Sequence, residues 1–390
     1  MNGRRGGRGA LAGVVALGVV VGLVLGTAAP AAAHSVSGVS STNYLTTLEG
    51  ITPETPGIEA RVVEKGSRIE LTNTNEADVV VLGYEDEPYL RIGPDGVFEN
   101  QRSPATYLNQ DRTGSQSGGE NADPEAPPEW ERLSSGQTAR WHDHRIHWMG
   151  ANVDRPDRRV VVEDEWVIPL RYEGDRIEVT GQLLWVPGPS SLPWYLLIAG
   201  LVALGAFVGG RRWWGRGLAA LLGALIVIDL VHVIGILGAR AGGPDLASLG
   251  SNLLYSLVAW VVGGVAVSML LREKRDGLFA AIFAAVLIAV FGGLQDLGVL
   301  RHSQVPFAWA EDLARLFVAA SVGLGAGVTV GAVISLVRLG AFTVAKGPPL
   351  ATAGGPAATG GQGAAEARPD DAASGDEAPD PVEDRPEPTG

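Results

Sequence analysis

Gly217–Ala239 reads GLAALLGALIVIDLVHVIGILGA, a run in which only Asp229 and His232 are ionisable. As a helix rising ~1.5 Å per residue it is ~35 Å long, enough to cross a hydrocarbon layer ~30 Å thick. Four further apolar stretches of similar length lie at roughly 194–210, 250–271, 277–299 and 313–337. Together they predict an all-α, five-helix transmembrane domain over 194–338. The flanking charges predict its orientation. Arg211, Arg212 and Arg216, then Arg272, Lys274 and Arg275, then Arg338 and Lys346 fall on one side. The opposite loops, around Asp245 and Gln304, are poor in positive charge. Positive residues mark the cytoplasmic side, so the first helix enters from outside, with Trp194 and Tyr195 at the interface.

The ionisable residues inside this domain are expensive to bury. Asp229 and His232 are three residues apart and share one helix face. Asp229 lies ~18 Å from Gly217 along the axis, near the bilayer middle. Asp296 and His302 come at the outer end of the fourth stretch, and Glu311, Asp312 and Arg315 open the fifth. Asp229, His232, Asp296 and Arg315 are expected to form a polar cluster facing the bundle interior. It is either a buried pair that fixes helix packing or a metal or proton site.

The chain ahead of the helices has two parts. Arg4, Arg5 and Arg8, the apolar run Leu11–Leu25 and the small residues Thr27–Ala33 have the order of a secretory signal peptide spanning 1–33. Cleavage after Ala31-Ala32-Ala33 makes His34 the first residue of the mature protein. From 34 to 190 the sequence is polar, with short alternating runs. Arg68–Asn73, Asp78–Tyr84, Trp166–Tyr172 and Arg176–Val186 have the period of half-buried strands. The last two are joined by a short turn at Glu173-Gly174-Asp175, and Gly93-Pro94-Asp95-Gly96 marks another. These features predict a β-sandwich ectodomain, with Asn109–Gln137 a long, mobile, polar loop. Residues 347–390 are rich in Ala, Gly, Pro, Asp and Glu, carry no aromatic residue, and are expected to be a disordered cytoplasmic tail.

Composition removes several functions. There is no cysteine, hence no disulfide, thiolate metal site or cysteine nucleophile, and there are only three methionines. The formal net charge of −13 argues against nucleic-acid binding. No Ser-His-Asp order, phosphate loop or paired carboxylates specify an enzyme. Arg140–Met149, by contrast, holds three of the six histidines: His142, His144 and His147. On a strand, His142 and His144 share a face, ~6.6 Å apart, and can converge on one ion. Asp143 and Arg145 then face away unless a bulge intervenes. His147 is a spare ligand, a group behind the ligands, or a surface residue. An amino-terminal His34 would add its free amine and imidazole. Such a nitrogen site suits copper, Cu(II) rather than Cu(I), since sulfur ligands are nearly missing.

An exported chain that starts with histidine and folds as a small β-sandwich resembles the CopC-like periplasmic copper-binding proteins. It is also similar to the cupredoxin-like domain of the particulate methane monooxygenase B subunit. That resemblance implies a histidine brace, in which an amino-terminal histidine and a downstream His-x-His pair bind copper. His34 matches the first, and His142 with His144 the second. Trp141-His142-Asp143-His144 followed by Met149 and Asn152 is similar to that domain's surroundings. The likeness covers roughly 34–190 and implies a cupredoxin- or immunoglobulin-like sandwich. The CopC Asp-x-His is absent, because Asp143 directly precedes His144. The helices resemble the CopD-like membrane proteins to which such domains are fused, although five is fewer than that likeness implies.

The sequence therefore predicts a multi-pass plasma-membrane protein of a bacterial envelope that binds copper outside the cell, for capture, delivery or homeostasis. Its partners are then the copper ion, membrane lipid and copper-handling proteins. The alternative is a metal-free envelope protein that binds another protein or senses the envelope. A copper oxidase is a third class, needing an open ligand position and a substrate surface.

Overall fold

The computed structural model describes residues 41–110, 119–150, 157–242 and 250–341. The expected signal peptide, His34 and the expected acidic tail lie outside the described residues, as does Asn152. The polar half contains ten strands: β1 (Tyr44–Thr52), β2 (Ile58–Val63), β3 (Arg68–Asn73), β4 (Val79–Leu82), β5 (Pro88–Gly93), β6 (Gly96–Asn100), β7 (Trp130–Ser134), β8 (Thr138–Trp141), β9 (Val160–Tyr172) and β10 (Asp175–Trp185). A short helix, α1 (Pro104–Leu108), follows β6. The strands form two antiparallel sheets, one of seven in the order β1-β10-β9-β4-β5-β6-β7 and one of three in the order β2-β3-β8.

Alternation explains how the sheets meet. Trp166, Ile168 and Leu170 of β9 are buried at every second position, as are Ile177, Val179 and Leu183 of β10. They share one core with Ile69 and Leu71 of β3 and Trp141 of β8. Side chains of a strand point alternately to its two faces, so each strand offers one apolar row to this core. The β9–β10 hairpin closes with Tyr172 opposite Asp175, leaving Glu173 and Gly174 as the loop. Both have positive φ, 50° and 96°, which suits the twist of a two-residue hairpin. Gly181 sits where a Cβ would lie 2.0 Å from the Thr47 carbonyl and within the Trp166 ring. Only glycine permits that approach of β1 to β10. One expectation is corrected here: the stretch 109–137 is not wholly a loop, because it contains β7, paired with β6. Its alternation is hidden because all but its first residue are exposed.

The apolar half consists of α2 (Leu192–Gly209), α3 (Trp214–Gly238), α4 (Gly250–Leu271), α5 (Asp276–Phe291) and α6 (Glu311–Arg338). Four helices are long and apolar enough to cross a membrane: α2, α3, Leu253–Leu271 of α4, and α6. The fourth apolar stretch is broken. α5 ends at Phe291, and a 3-10 helix, Leu294–Leu300, continues at a bend of 45°; counting this pair as one span makes five. The break falls at Gly292-Gly293, where Asp229 Oδ1 lies 2.0 Å from the position a Gly292 Cβ would take. α2 and α6 approach closely. A Cβ at Gly205 would meet the Gly327 carbonyl at 2.1 Å, and one at Gly209 the Gly331 carbonyl at 2.1 Å. Small residues four apart on both helices let the backbones touch, the main source of packing attraction between apolar helices in lipid.

The two halves are joined by short bonds. Thr42 and Gln304 exchange backbone hydrogen bonds of 3.0 and 2.8 Å. Ser303 Oγ donates to the Val186 carbonyl at 2.8 Å, and Lys65 pairs with Glu311 at 2.9 Å.

Candidate functional site

β8 ends at Trp141, and the histidine segment is not a strand. His142 and Asp143 turn the chain into a single 3-10 turn, His144–Ile146. Asp143 caps that turn, its Oδ1 accepting from the Arg145 amide at 3.1 Å. Its carboxylate is fully buried. Trp141 Nε1 donates to Oδ2 at 2.9 Å, and Arg145 adds a two-pronged pair at 2.8 and 2.7 Å. Arg145 also donates to the Leu82 carbonyl. Burial alone would push the Asp143 carboxyl up, but Arg145 outweighs it and holds it below the ordinary carboxylate range. The expectation that Asp143 and Arg145 face away is therefore corrected. An aspartate before a turn takes the cap, and the apolar Ile146 draws the turn into the core.

This turn gathers the three histidines. The His142 and His144 rings are 5.1 Å apart and nearly perpendicular, at 77°. His147, expected on the opposite face, instead stacks on His142 at 4.3 Å and 27°. Strand alternation fails because the 3-10 turn rotates the chain between His144 and His147. His142 Nδ1 lies 3.0 Å from the Ser67 carbonyl, which can only accept, so Nδ1 carries the proton and Nε2 keeps its lone pair. A backbone carbonyl behind one ring nitrogen is the usual way to orient a metal-binding imidazole. His147 Nε2 is buried with no hydrogen-bond partner among the described residues. Burial, and then the neighbouring His142, push His147 down to about 3, so its imidazole is neutral at physiological pH.

His142 and His147 border a cleft of about 210 Å³, lined also by Thr42, Tyr44, Lys65, Ser67, Trp148 and Met149, whereas His144 lines a neighbouring cavity with Arg145 and Glu163. The start of the chain's first strand thus forms one wall. Thr46 Oγ1 donates to the Ile146 carbonyl at 2.9 Å, tying that strand to the turn. Sequence reading missed Thr42, Tyr44 and Ser67, which carry no pattern of their own: Tyr44 is placed by β1 pairing with β10, Thr42 by its bridge to Gln304, and Ser67 by the turn that leads into β3. His34, the expected first ligand, lies outside the described residues. Among the described residues no group of three or more His, Asp or Glu side chains is arranged to hold a metal ion. The structure brings the His142 and His144 rings to 5.1 Å and shows no metal-holding group around them among the described residues.

The expected intramembrane cluster divides in two. Asp229 and His232 face the bundle interior and are buried. Arg315 does not join them. It pairs with Asp312 at 2.8 Å and donates to the His302 carbonyl at 2.9 Å and the Val299 carbonyl at 3.3 Å, closing the end of the 3-10 helix. Asp296, on that helix, lies within electrostatic range of Asp229.

No family model, no curated protein and no solved structure matches this chain.

Proposed function

We propose that this protein is a membrane-anchored copper-binding protein of a bacterial envelope, with its sheet domain outside and its acidic tail in the cytoplasm. His34, exposed by signal cleavage, supplies amine and imidazole, and His142 and His144 complete a nitrogen site for Cu(II). The sheets are read as a cupredoxin- or immunoglobulin-like sandwich, and the bent pair as the fifth span. The arrangement of Arg and Lys around the helices supports that orientation.

One observation carries the reading: Thr42 and Tyr44 line the same cleft as His142 and His147. Thr42 is eight steps along the chain from His34, a reach of up to ~26 Å if extended, so the mature amino terminus can return to the cleft at His142. Nitrogen ligands and a nearly sulfur-free surround favour Cu(II), and the Ser67 carbonyl holds His142 in the tautomer a metal requires. The site's expected work is capture or delivery of the ion.

The test compares the full-length protein starting at His34 with one that carries an added alanine before it. The added residue removes the amine from His34's chelate ring. Tight binding of one Cu(II) by the first and much weaker binding by the second, read by electron paramagnetic resonance and calorimetry, supports the brace. Equal affinity refutes it. Absence of binding by either favours the metal-free reading, in which the buried Asp143–Arg145 pair makes the histidine turn a structural corner.

A further inference from the structure

The bundle interior contains polar groups that no packing role satisfies. Within the apolar helices, Asp229 Oδ1, His232 Nδ1 and Ser321 Oγ are buried and have no hydrogen-bond partner among the described residues. All three side chains belong to residues 2 % exposed or less. They converge on the break in the fourth apolar stretch. Asp229 Oδ1 crowds Gly292, and the Gly292 backbone also contacts His232. Asp296 lies just past the break, in electrostatic range of Asp229. The His232 ring is 6.3 Å from Phe317 of α6, and Ser321 lies one turn deeper on that face of the helix. From α4, Trp260 Nε1 donates to Asp229 Oδ2 at 2.8 Å, with Ser256 alongside. Oδ1 is left over.

A structural pair would satisfy its own atoms, and this set does not. The nearest guanidinium on α6, Arg315, is committed to Asp312, Glu311 and two carbonyls. Among the described residues neither Asp229 nor Asp296 is in an ion pair. An unpaired carboxylate in hydrocarbon is costly, and a bound proton removes that charge. Broken helices place ion sites at the interrupted backbone, where non-helical groups line the interior. The 3-10 helix also leads outward from the break to His302, whose Nδ1 lies 2.9 Å from Ser41 Oγ of the sheet half. We propose that Asp229, His232 and Asp296 form an intramembrane proton-binding site, with Asp229 Oδ1 taking up the proton and His232 Nδ1 the adjoining acceptor. One O–H bond forms on uptake and breaks on release to water, with no redox change. This site is independent of copper at the histidine cleft.

The test uses the full-length protein in phosphatidylcholine vesicles, treated with an apolar carbodiimide, which attacks protonated carboxyls in apolar surroundings, and mapped by mass spectrometry. Infrared titration of the protonated-carboxyl band runs in parallel. The expected result is a pH-dependent band and an Asp229 adduct, both present in acid and lost as pH rises. Asp229→Asn should remove both, and Asp296→Asn should shift the pH midpoint because neighbouring carboxyls titrate together. If Asp229→Asn does not fold, Asp229→Glu should retain the band at a different midpoint. A wild-type protein with neither adduct nor pH-dependent band overturns the proposal. Protection of Asp229 by sodium or potassium ions at constant pH also overturns it, making the site one for metal cations.

Discussion

Replacing Asp143 by alanine should destabilise the sheet domain by about 3–5 kcal/mol, the usual cost of breaking a buried ion pair by removing one partner. The structure puts this substitution at the upper end of single-site effects. The Asp143 side chain is fully buried and that of Arg145 only 17 % exposed, so a nearly buried guanidinium would lose its counter-charge. Trp141 Nε1 would lose its acceptor, and the 3-10 turn its cap. Urea unfolding followed by tryptophan fluorescence is a suitable assay, because Trp141 reports directly on the carboxylate. Arg145→Leu should cost less when added to Asp143→Ala than alone, since the stranded charge then disappears; the coupling between the two should exceed ~1 kcal/mol. Copper affinity should fall with Asp143→Ala, because the turn sets the His142–His144 angle. A change in stability within about 0.5 kcal/mol of wild type, typical of surface substitutions, would refute the argument that this pair organises the turn.

Asp143 and Glu70, the latter pressed between Arg61 and Arg140, both titrate below their ordinary range in the fold; burial raises each carboxyl, and Arg145 for the first and the two arginines for the second more than reverse it. Their stabilisation is therefore complete above the unfolded values near ~4 and lost as pH falls through the lower folded values, so Glu70→Gln should flatten the acid limb of a stability–pH curve. Gly205→Val should disrupt the α2–α6 contact, with loss of the monodisperse species in detergent, because even its Cβ would sit 2.1 Å from the Gly327 carbonyl. Gly174→Val should cost about 1–2 kcal/mol of sheet-domain stability, since φ is +96° there and Cβ-bearing residues resist that conformation. His142→Ala should abolish tight Cu(II) binding, and His147→Ala should weaken it less, as electron paramagnetic resonance would show.

The strongest periodic signals in the sequence were those that tertiary structure leaves alone. Apolar stretches near 200, 228, 260 and 325 became helices, and the alternation of Arg68–Asn73 gave β3 with the same limits. The β9–β10 hairpin was legible because Glu173-Gly174 supplies the positive φ that its turn demands. β7 was illegible because it lies at a sheet edge, nearly all exposed, with no apolar row. The break at Gly292-Gly293 was hidden because the apolar run ahead of it is unbroken to Phe291 and two glycines alone do not fix a bend. At the break a side chain from another helix, Asp229, fills the place a Gly292 Cβ would take. The histidine segment shows the same limit. Spacing put His142 beside His144, which the structure keeps, but the rule that separated His147 assumed a strand, and a capping aspartate overrode it.

The segment leading into β1, residues 41–44, ties the candidate site to the membrane half. Thr42 lines the histidine cleft and also exchanges both backbone bonds with Gln304, between the 3-10 helix and α6. One residue earlier, Ser41 meets His302, and one residue later, the Asn43 side chain accepts from the Ser303 amide at 2.9 Å. Three consecutive residues thus hold the start of the strand to the loop that Arg315 and Glu311 shape from below, while Thr46 holds it to the histidine turn. A backbone fixed at both ends transmits displacement better than a free one, because packed interiors yield little. Any ligand that draws the preceding chain toward His142 must pull against the Thr42–Gln304 bridge. The cleft and the loop before α6 are therefore both tied to one short stretch of chain, residues 41–46.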